Sequence, residues 1–331
     1  MSDSLKNSGS EKEISADYNK LVMYAGTASV FIATVFILVK AGVWFASYSS
    51  SMFASLIDSM FDALTALINL FAIRYSLTPP NDTYRFGHYK AQSLAALAQS
   101  AFIGGSAVIL IIHGIKRLHH PEVVNNVDIA ILVSVLAEVI TILLIAFQTY
   151  VISKTKSEAI AADRLHYLSD AMLNIGVILA LVFSGMGYMW ADGLFTIIIG
   201  ALITKGAFSL GRTSVSTLLD ISFPPEENQQ IIKELIEIPH VESIHDLKTR
   251  RAGPRNFIQC HLLMDGNMSL KSSHEVTVVA EDILRKKYKD ADISIHMEPL
   301  NKETLTNLEF DDITHVMSQK KIEKSKNDKQ N

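Results

Sequence analysis

The segment VDIAILVSVLAEVITILLIAFQTYVI, near residues 127–152, constrains this chain more than any other. It is apolar on every helical face, so one amphipathic packing surface cannot account for it. As a helix of this length it reaches across roughly 30 Å of bilayer hydrocarbon. The stretch SLAALAQSAFIGGSAVILIIHG reads the same way. Six spans are expected, near residues 21–43, 50–74, 93–116, 127–152, 164–184 and 188–211.

Composition supports this reading only once its placement is considered. The chain has 331 residues, of which 49% are hydrophobic and 19% charged, against about 25% charged in ordinary soluble domains. The apolar runs stop near residue 212, and Lys, Glu, Asp and His then punctuate the chain. The expected organisation is a polar N-terminal tail over 1–20, a six-helix membrane domain over 21–212 and a linker over 213–220. A soluble domain over 221–300 and a largely disordered tail over 301–331 follow. Net charge is −4, which excludes a global basic field for nucleic acid. The one cysteine, Cys260, excludes an intrachain disulfide. No Walker-type loop points to a nucleotide, and nothing suggests covalent catalysis, so a transporter is expected rather than an enzyme.

Six spans put both termini on one side of the bilayer. Arg74, Arg85 and Lys90 lie between spans two and three; Lys154, Lys156 and Arg164 lie between four and five. This bias places both termini in the cytoplasm of a multi-pass protein of the inner (plasma) membrane. Trp44 and Trp190 near span ends fit an interfacial belt. The small-residue runs IGGSA and GLFTIIIGA suit close helix packing.

Two pairs of ionisable residues interrupt the apolar spans. Asp58 and Asp62 fall in SLIDSMFDAL, and His166 and Asp170 fall in HYLSDAMLN. Residues four apart share a helix face, about 6 Å apart along the axis. Carboxylates facing hydrocarbon cost several kcal/mol, so the pairs need a wet cavity, a partner or a metal. If the two helices pack together, three carboxylates and one imidazole suit a tetrahedral divalent cation, zinc above all. Such a site binds protons when empty, so metal and protons compete for it. The competing reading is polar packing against Asn69, Asn174 or Gln99. Glu138, central in span four, is a candidate proton relay. Lys40, Lys205 and Asp192 lie nearer span ends, where long side chains can reach water.

Beyond the spans, periodicity changes. PPEENQQIIKELIEI and SSHEVTVVAEDILRKKY read as helices. VESIHDLKTRR, RNFIQCHLLMD and ADISIHMEP read as strands, the first two joined by a turn at AGP. The order α-β-β-α-β implies a two-layer α/β domain, and LTNLEFDDITHVM reads as a short helix after it. The domain holds His240, His245, His261, His274 and His296, with His296 and Glu298 on one strand face. A second metal site and ordinary surface histidines both remain open on these residues alone.

Taken together, SLIDSMFDAL, NLFAIRYSLTPPNDTYRFGHYKAQSLAALAQSAFI, HYLSDAMLN and HDLKTRRAGPRNFIQCHLLMD resemble the cation diffusion facilitators. The likeness is greatest to their bacterial ferrous-iron and zinc efflux branch, and it covers about residues 15–300. The resemblance implies a homodimer of six-span subunits, each with a cytoplasmic ferredoxin-like domain, exchanging divalent metal for protons. It carries the transport site onto Asp58, Asp62, His166 and Asp170. It carries a cytoplasmic metal site onto His245, His261 and His296, with His274 as a further ligand and Glu298 where close relatives have aspartate. A lysine–aspartate dimer contact falls on Lys90 and Asp220.

The chain departs from the pattern in the loop TPPNDTYRFGHYK, where close relatives place an aspartate and two histidines. Asn81, Tyr84 and His88 stand there, with Asp82 one position off register. An amide and a phenol are poor zinc ligands, so this loop site is expected to be degraded.

The expected function is a proton-coupled antiporter exporting Zn(II), with Cd(II) or Fe(II) as alternatives, by alternating access. Its rivals are a channel or uptake carrier with the same ligands, and a membrane-anchored metal sensor or scaffold with a silent pathway. The lipid bilayer, protons and a second copy of the chain are the expected partners; nucleic acid and nucleotide are not.

Overall fold

A computed structural model describes residues 2–48, 50–119, 130–186, 188, 190–288, 291–300 and 316–317. It divides into a helical unit, Ala16–Leu218, and an α/β unit comprising Leu219–Asn331 with Met1–Ser15. The long helices are α1 (Ser2–Ser47), α2 (Ser50–Ser76), α3 (Ala91–His119), α4 (Ala130–Thr155), α5 (Glu158–Gly185) and α6 (Ala191–Leu218). Apolar surface without water leaves helix as the conformation that satisfies every backbone group within the segment. Accordingly Phe31, Phe61, Phe71, Phe102, Leu143 and Phe208 point outward and are exposed. Small and polar residues are turned inward.

Among the described residues, five helical segments are long and apolar enough to cross a membrane: Asp17–Ala46, Ser55–Ser76, Ala91–His119, Ala137–Thr155 and Ala191–Leu218. Helix α5, expected as the fifth span, is not among these five; its first half holds Glu158, Asp163, Arg164, His166 and Asp170. Helix extends into the expected polar tail and the expected linker. Residues read as a polar tail belong to α1 from Ser2 onward, and α6 runs through Leu218 into the expected linker.

The tightest helix contact joins α3 and α6. Small residues recur every seven positions on both, as Ser93, Ser100, Ala107 and Gly114 on α3 and Gly193, Gly200, Ala207 and Ser214 on α6, all buried. A Cβ on Gly193 would stand 2.6 Å from the Leu118 backbone nitrogen and 2.8 Å from the Gly114 carbonyl oxygen. The backbones therefore touch where only glycine fits. GLFTIIIGA supplies this contact. IGGSA does so less: Gly104 meets Ala207 at an ordinary 3.6 Å, and Gly105 has open space.

The α/β unit contains α7 (Pro225–Ile236), β1 (Val241–Ala252), β2 (Arg255–Asp265), α8 (Leu270–Lys287), β3 (Ala291–Leu300) and β4 (Val316–Met317). Pro225 and two acids open α7, and the Ser269 hydroxyl accepts a bond from the Ser272 amide to cap α8. Gly253, at φ +55°, makes the β1–β2 turn. The sheet order is β3-β2-β1-β4, with β2 and β3 parallel and the other pairs antiparallel. Ile231 and Leu235 of α7 and Ala280 and Leu284 of α8 pack on Ile244, Ile258, Cys260 and Leu262. Both helices thus cover one face of the sheet.

Strand β4 is a correction. Val316 and Met317 end the stretch expected as a short helix, yet they pair with Ile244 and Ser243 along the β1 edge. The remainder of 301–331, expected to be a disordered tail, lies outside the described residues.

Candidate metal sites

In the helical unit, Asp62 on α2 meets His166 and Asp170 on α5. His166 Nε2 lies 3.2 Å from Asp62 Oδ1 and 3.8 Å from Asp170 Oδ2. One ligand atom from each of the three residues falls within 4.8 Å of the others. One imidazole nitrogen and two carboxylates at this spacing match the donor set of a borderline divalent cation. Asp58 is exposed one turn away on α2 and is not drawn into this group. Lys40 of α1 turns toward α2, its Nζ donating to Ser59 Oγ at 2.7 Å. Its charge is felt by Asp62, Asp58 and Asp170. Glu138 of α4 accepts from Asn174 Nδ2 at 2.7 Å, and Asn174 is the residue one turn beyond Asp170.

Sequence reasoning missed Asp163, one turn before His166. It is 1% exposed, and its Oδ2 accepts from the Ser29 hydroxyl of α1 and from Gln148 Nε2 of α4. The signal was present as spacing, since Asp163, His166, Asp170 and Asn174 fall on one helix face.

In the α/β unit, strand register assembles the second group. His245 of β1 pairs with His261 of β2, which pairs with His296 of β3. All three side chains therefore share the sheet face opposite the helices. A one-residue bulge follows His245, where Asp246 takes φ +48°. Glu298 lies 2.9 Å from His261 Nδ1, 3.5 Å from His245 Nε2 and 3.6 Å from His296 Nε2. His245, His261 and Glu298 offer ligand atoms within 4.8 Å of one another, a donor set that fits a divalent transition metal. His296 is at the exposed rim. His274 is exposed on α8, which covers the other face, and lies outside this group. Cys260 faces the helices, and burial pushes its thiol up to about 12, so it is not a ready ligand here.

The loop before α3 is built as a turn. Asn81 Oδ1 accepts from the Thr83 and Tyr84 amides at 3.0 and 2.7 Å. The ring of His88 is buried between those of Tyr75 and Tyr84, at 4.7 and 4.6 Å. Asp82 is exposed beside Arg85. No metal-ligand group forms there among the described residues. Lys90 donates to the Leu218 carbonyl at the end of α6, and Asp220 accepts from Arg250.

These features define a multi-pass membrane protein with a group of potential metal ligands in each of two units. The family model for the cation efflux transmembrane domain matches residues 26–219, and that for the cation efflux cytoplasmic domain matches 223–300. The chain belongs to the cation efflux family. It is 43% identical over 291 residues to the cation-efflux pump FieF of Shewanella oneidensis, covering 88% of this chain and 98% of that one. It is 41% identical over 282 residues to FieF of Serratia proteamaculans, covering 85% and 94%. Among solved structures, it is 33% identical to the metal-bound C-terminal domain of the CzcD transporter from Thermotoga maritima. That match covers 24% of this chain and 98% of that one, with a TM-score of 0.22.

Proposed function

We propose that this chain is a proton-coupled antiporter exporting divalent transition-metal cations, Zn(II) first and Cd(II) or Fe(II) as alternatives, by alternating access. The observation that carries it is the meeting of Asp62, His166 and Asp170 across α2 and α5 in a unit otherwise faced with apolar side chains. Ionisable groups so placed mark an ion pathway. Similarity to cation-efflux pumps along nearly their whole length supports the same reading.

On this reading α5 is the sixth span, its polar first half tolerated because that half faces other helices rather than lipid. The membrane domain then extends over 21–212 and the α/β unit, ferredoxin-like, over 221–300. Both termini face the cytoplasm of the inner membrane, and the working form is a homodimer. Asp58 joins the other three ligands when metal binds, since it shares a face of α2 with Asp62. Metal and protons compete for the same oxygen and nitrogen atoms. Entry of metal from the cytosol displaces protons, and protons returning from the other side release it. Differential binding in the two states moves the ion. The cation is cargo, so the protein is a secondary active transporter and not an enzyme. Glu138, tied through Asn174 to the helix face of Asp170, is the candidate for delivering protons.

In the cytoplasmic group, His245, His261 and Glu298 would hold a divalent metal, with His296 at the rim. A metal there would cross-link three strands. The degraded loop contributes no third site. The test is zinc entry into sealed liposomes carrying purified protein and a zinc-reporting dye. Entry lost on Asp62→Ala supports the transport site. A folded wild type that moves no zinc, cadmium or ferrous iron favours the sensor or scaffold reading.

A further inference from the structure

Among the described residues, Asp163 is the most deeply buried carboxylate of the helical unit, and the transport reading does not use it. Its Oδ2 takes two bonds, one from the Ser29 hydroxyl and one at 2.7 Å from Gln148 Nε2, which also donates to Ser29 Oγ at 3.1 Å. Its other oxygen is buried without a hydrogen bond. A carboxylate held this way does little for stability; a well-packed apolar residue would serve at least as well. Retaining it makes sense if it specifies geometry. Ser29 also touches α5 a second time, because its backbone carbonyl accepts from the Tyr167 hydroxyl at 3.3 Å. Asp163 and Tyr167 lie on either side of His166 in the chain, about 4.5 and 1.5 Å away along the helix axis. One residue of α1 therefore grips α5 both before and after the histidine, while Gln148 ties the same point to α4.

Resting on the transport-site reading above, we propose that Asp163 is a positioning residue. Through Ser29 and Gln148 it fixes the rotation of α5 that turns His166 and Asp170 toward Asp62. Rotating a helix by one residue swings its side chains by about 100°, enough to take both ligands off the site. The requirement is a hydrogen-bond acceptor at position 163 and not its negative charge. Asparagine, whose side-chain oxygen can accept the same two bonds, should then replace it.

The experiment measures zinc affinity at equilibrium, by chelator competition, on the full chain carrying His261→Ala and Glu298→Ala so that the cytoplasmic group is silent. Asp163→Ala should weaken binding by about ten-fold, the low end for residues that orient metal ligands. Asp163→Asn should restore most of it. A folded Asp163→Ala protein binding zinc like its parent overturns the proposal. Equal weakening by alanine and asparagine also overturns it, since charge and not the grip would then matter. If Asp163→Ala does not assemble, Ser29→Ala and Gln148→Ala each remove one donor and must weaken zinc in the same direction; unchanged affinity in both refutes the grip. Asp170→Ala in the same background separates the two claims. Should it leave affinity unchanged, the transport-site reading itself fails.

Discussion

His166 Nε2 stands 3.2 Å from Asp62 Oδ1, joining two helices whose outward faces are almost wholly apolar. The pair crosses 104 residues of sequence to do so. Removing either partner leaves the other part-buried without its ion-pair partner, besides deleting a candidate ligand. Asp62→Ala and His166→Ala should each weaken zinc at this site by about 100-fold or more, with metal binding at the cytoplasmic group retained. His166→Asp replaces the only nitrogen donor by oxygen and should tilt preference toward harder ions such as Mn(II). Competition binding with zinc, cadmium and manganese checks both. A zinc preference unchanged by His166→Asp contradicts the ligand role.

Glu298 is the hub of the cytoplasmic group, within 3.6 Å of three histidines on three strands. Metal bound only to the folded state raises stability by about 2.7 kcal/mol at one hundred times its dissociation constant. Glu298→Ala should abolish most of the zinc-dependent rise in melting temperature of the α/β unit within the full chain. Asp170→Ala should leave that rise in place.

Cys260 offers a pH test independent of metal. Burial lifts its thiol from 9.0 to about 12. A raised folded value means that the contribution to stability is complete below about pH 9 and is lost as pH rises through about 12. Maleimide labelling of the native protein should therefore be negligible at pH 8 and should follow unfolding in denaturant. Rapid stoichiometric labelling of folded protein at pH 8 would contradict the buried placement.

Gly193 lies where α3 and α6 backbones touch. Gly193→Ala forces them apart and should cost about 1–3 kcal/mol, seen as a lower melting temperature in detergent. Gly105→Ala, facing open space, should change it little.

Much of this was legible from spacing. The i,i+4 pairs picked out Asp62, His166 and Asp170, because lipid leaves so few reasons for a charge in a span. Strand alternation and the order of elements gave the histidine-bearing sheet, and register then lined up His245, His261 and His296. Asp163 escaped because charges at the start of α5 look like a loop; span five was expected from residue 164, and Asp163 fell just outside it. Its partners Ser29 and Gln148 lie on other helices, and nothing local announces a contact that packing alone creates. The same holds for β4, two residues whose strand conformation comes from the β1 edge they join. Asn81 and His88 show the reverse case. The types at Asn81 and Tyr84 spoke against a metal site while His88 alone suited one, and Asn81 and His88 each have a local structural task, one in a turn and one between two tyrosines.

Protons and metal are proposed to share one site on α2 and α5. This sharing is tested most directly by recording internal pH and zinc together in sealed liposomes, for wild type and Asp170→Ala. Opposite movements of zinc and protons are expected in wild type, with loss of both in the variant while its cytoplasmic group still binds zinc. Zinc movement without protons, or coupled movement undiminished in Asp170→Ala, would contradict it.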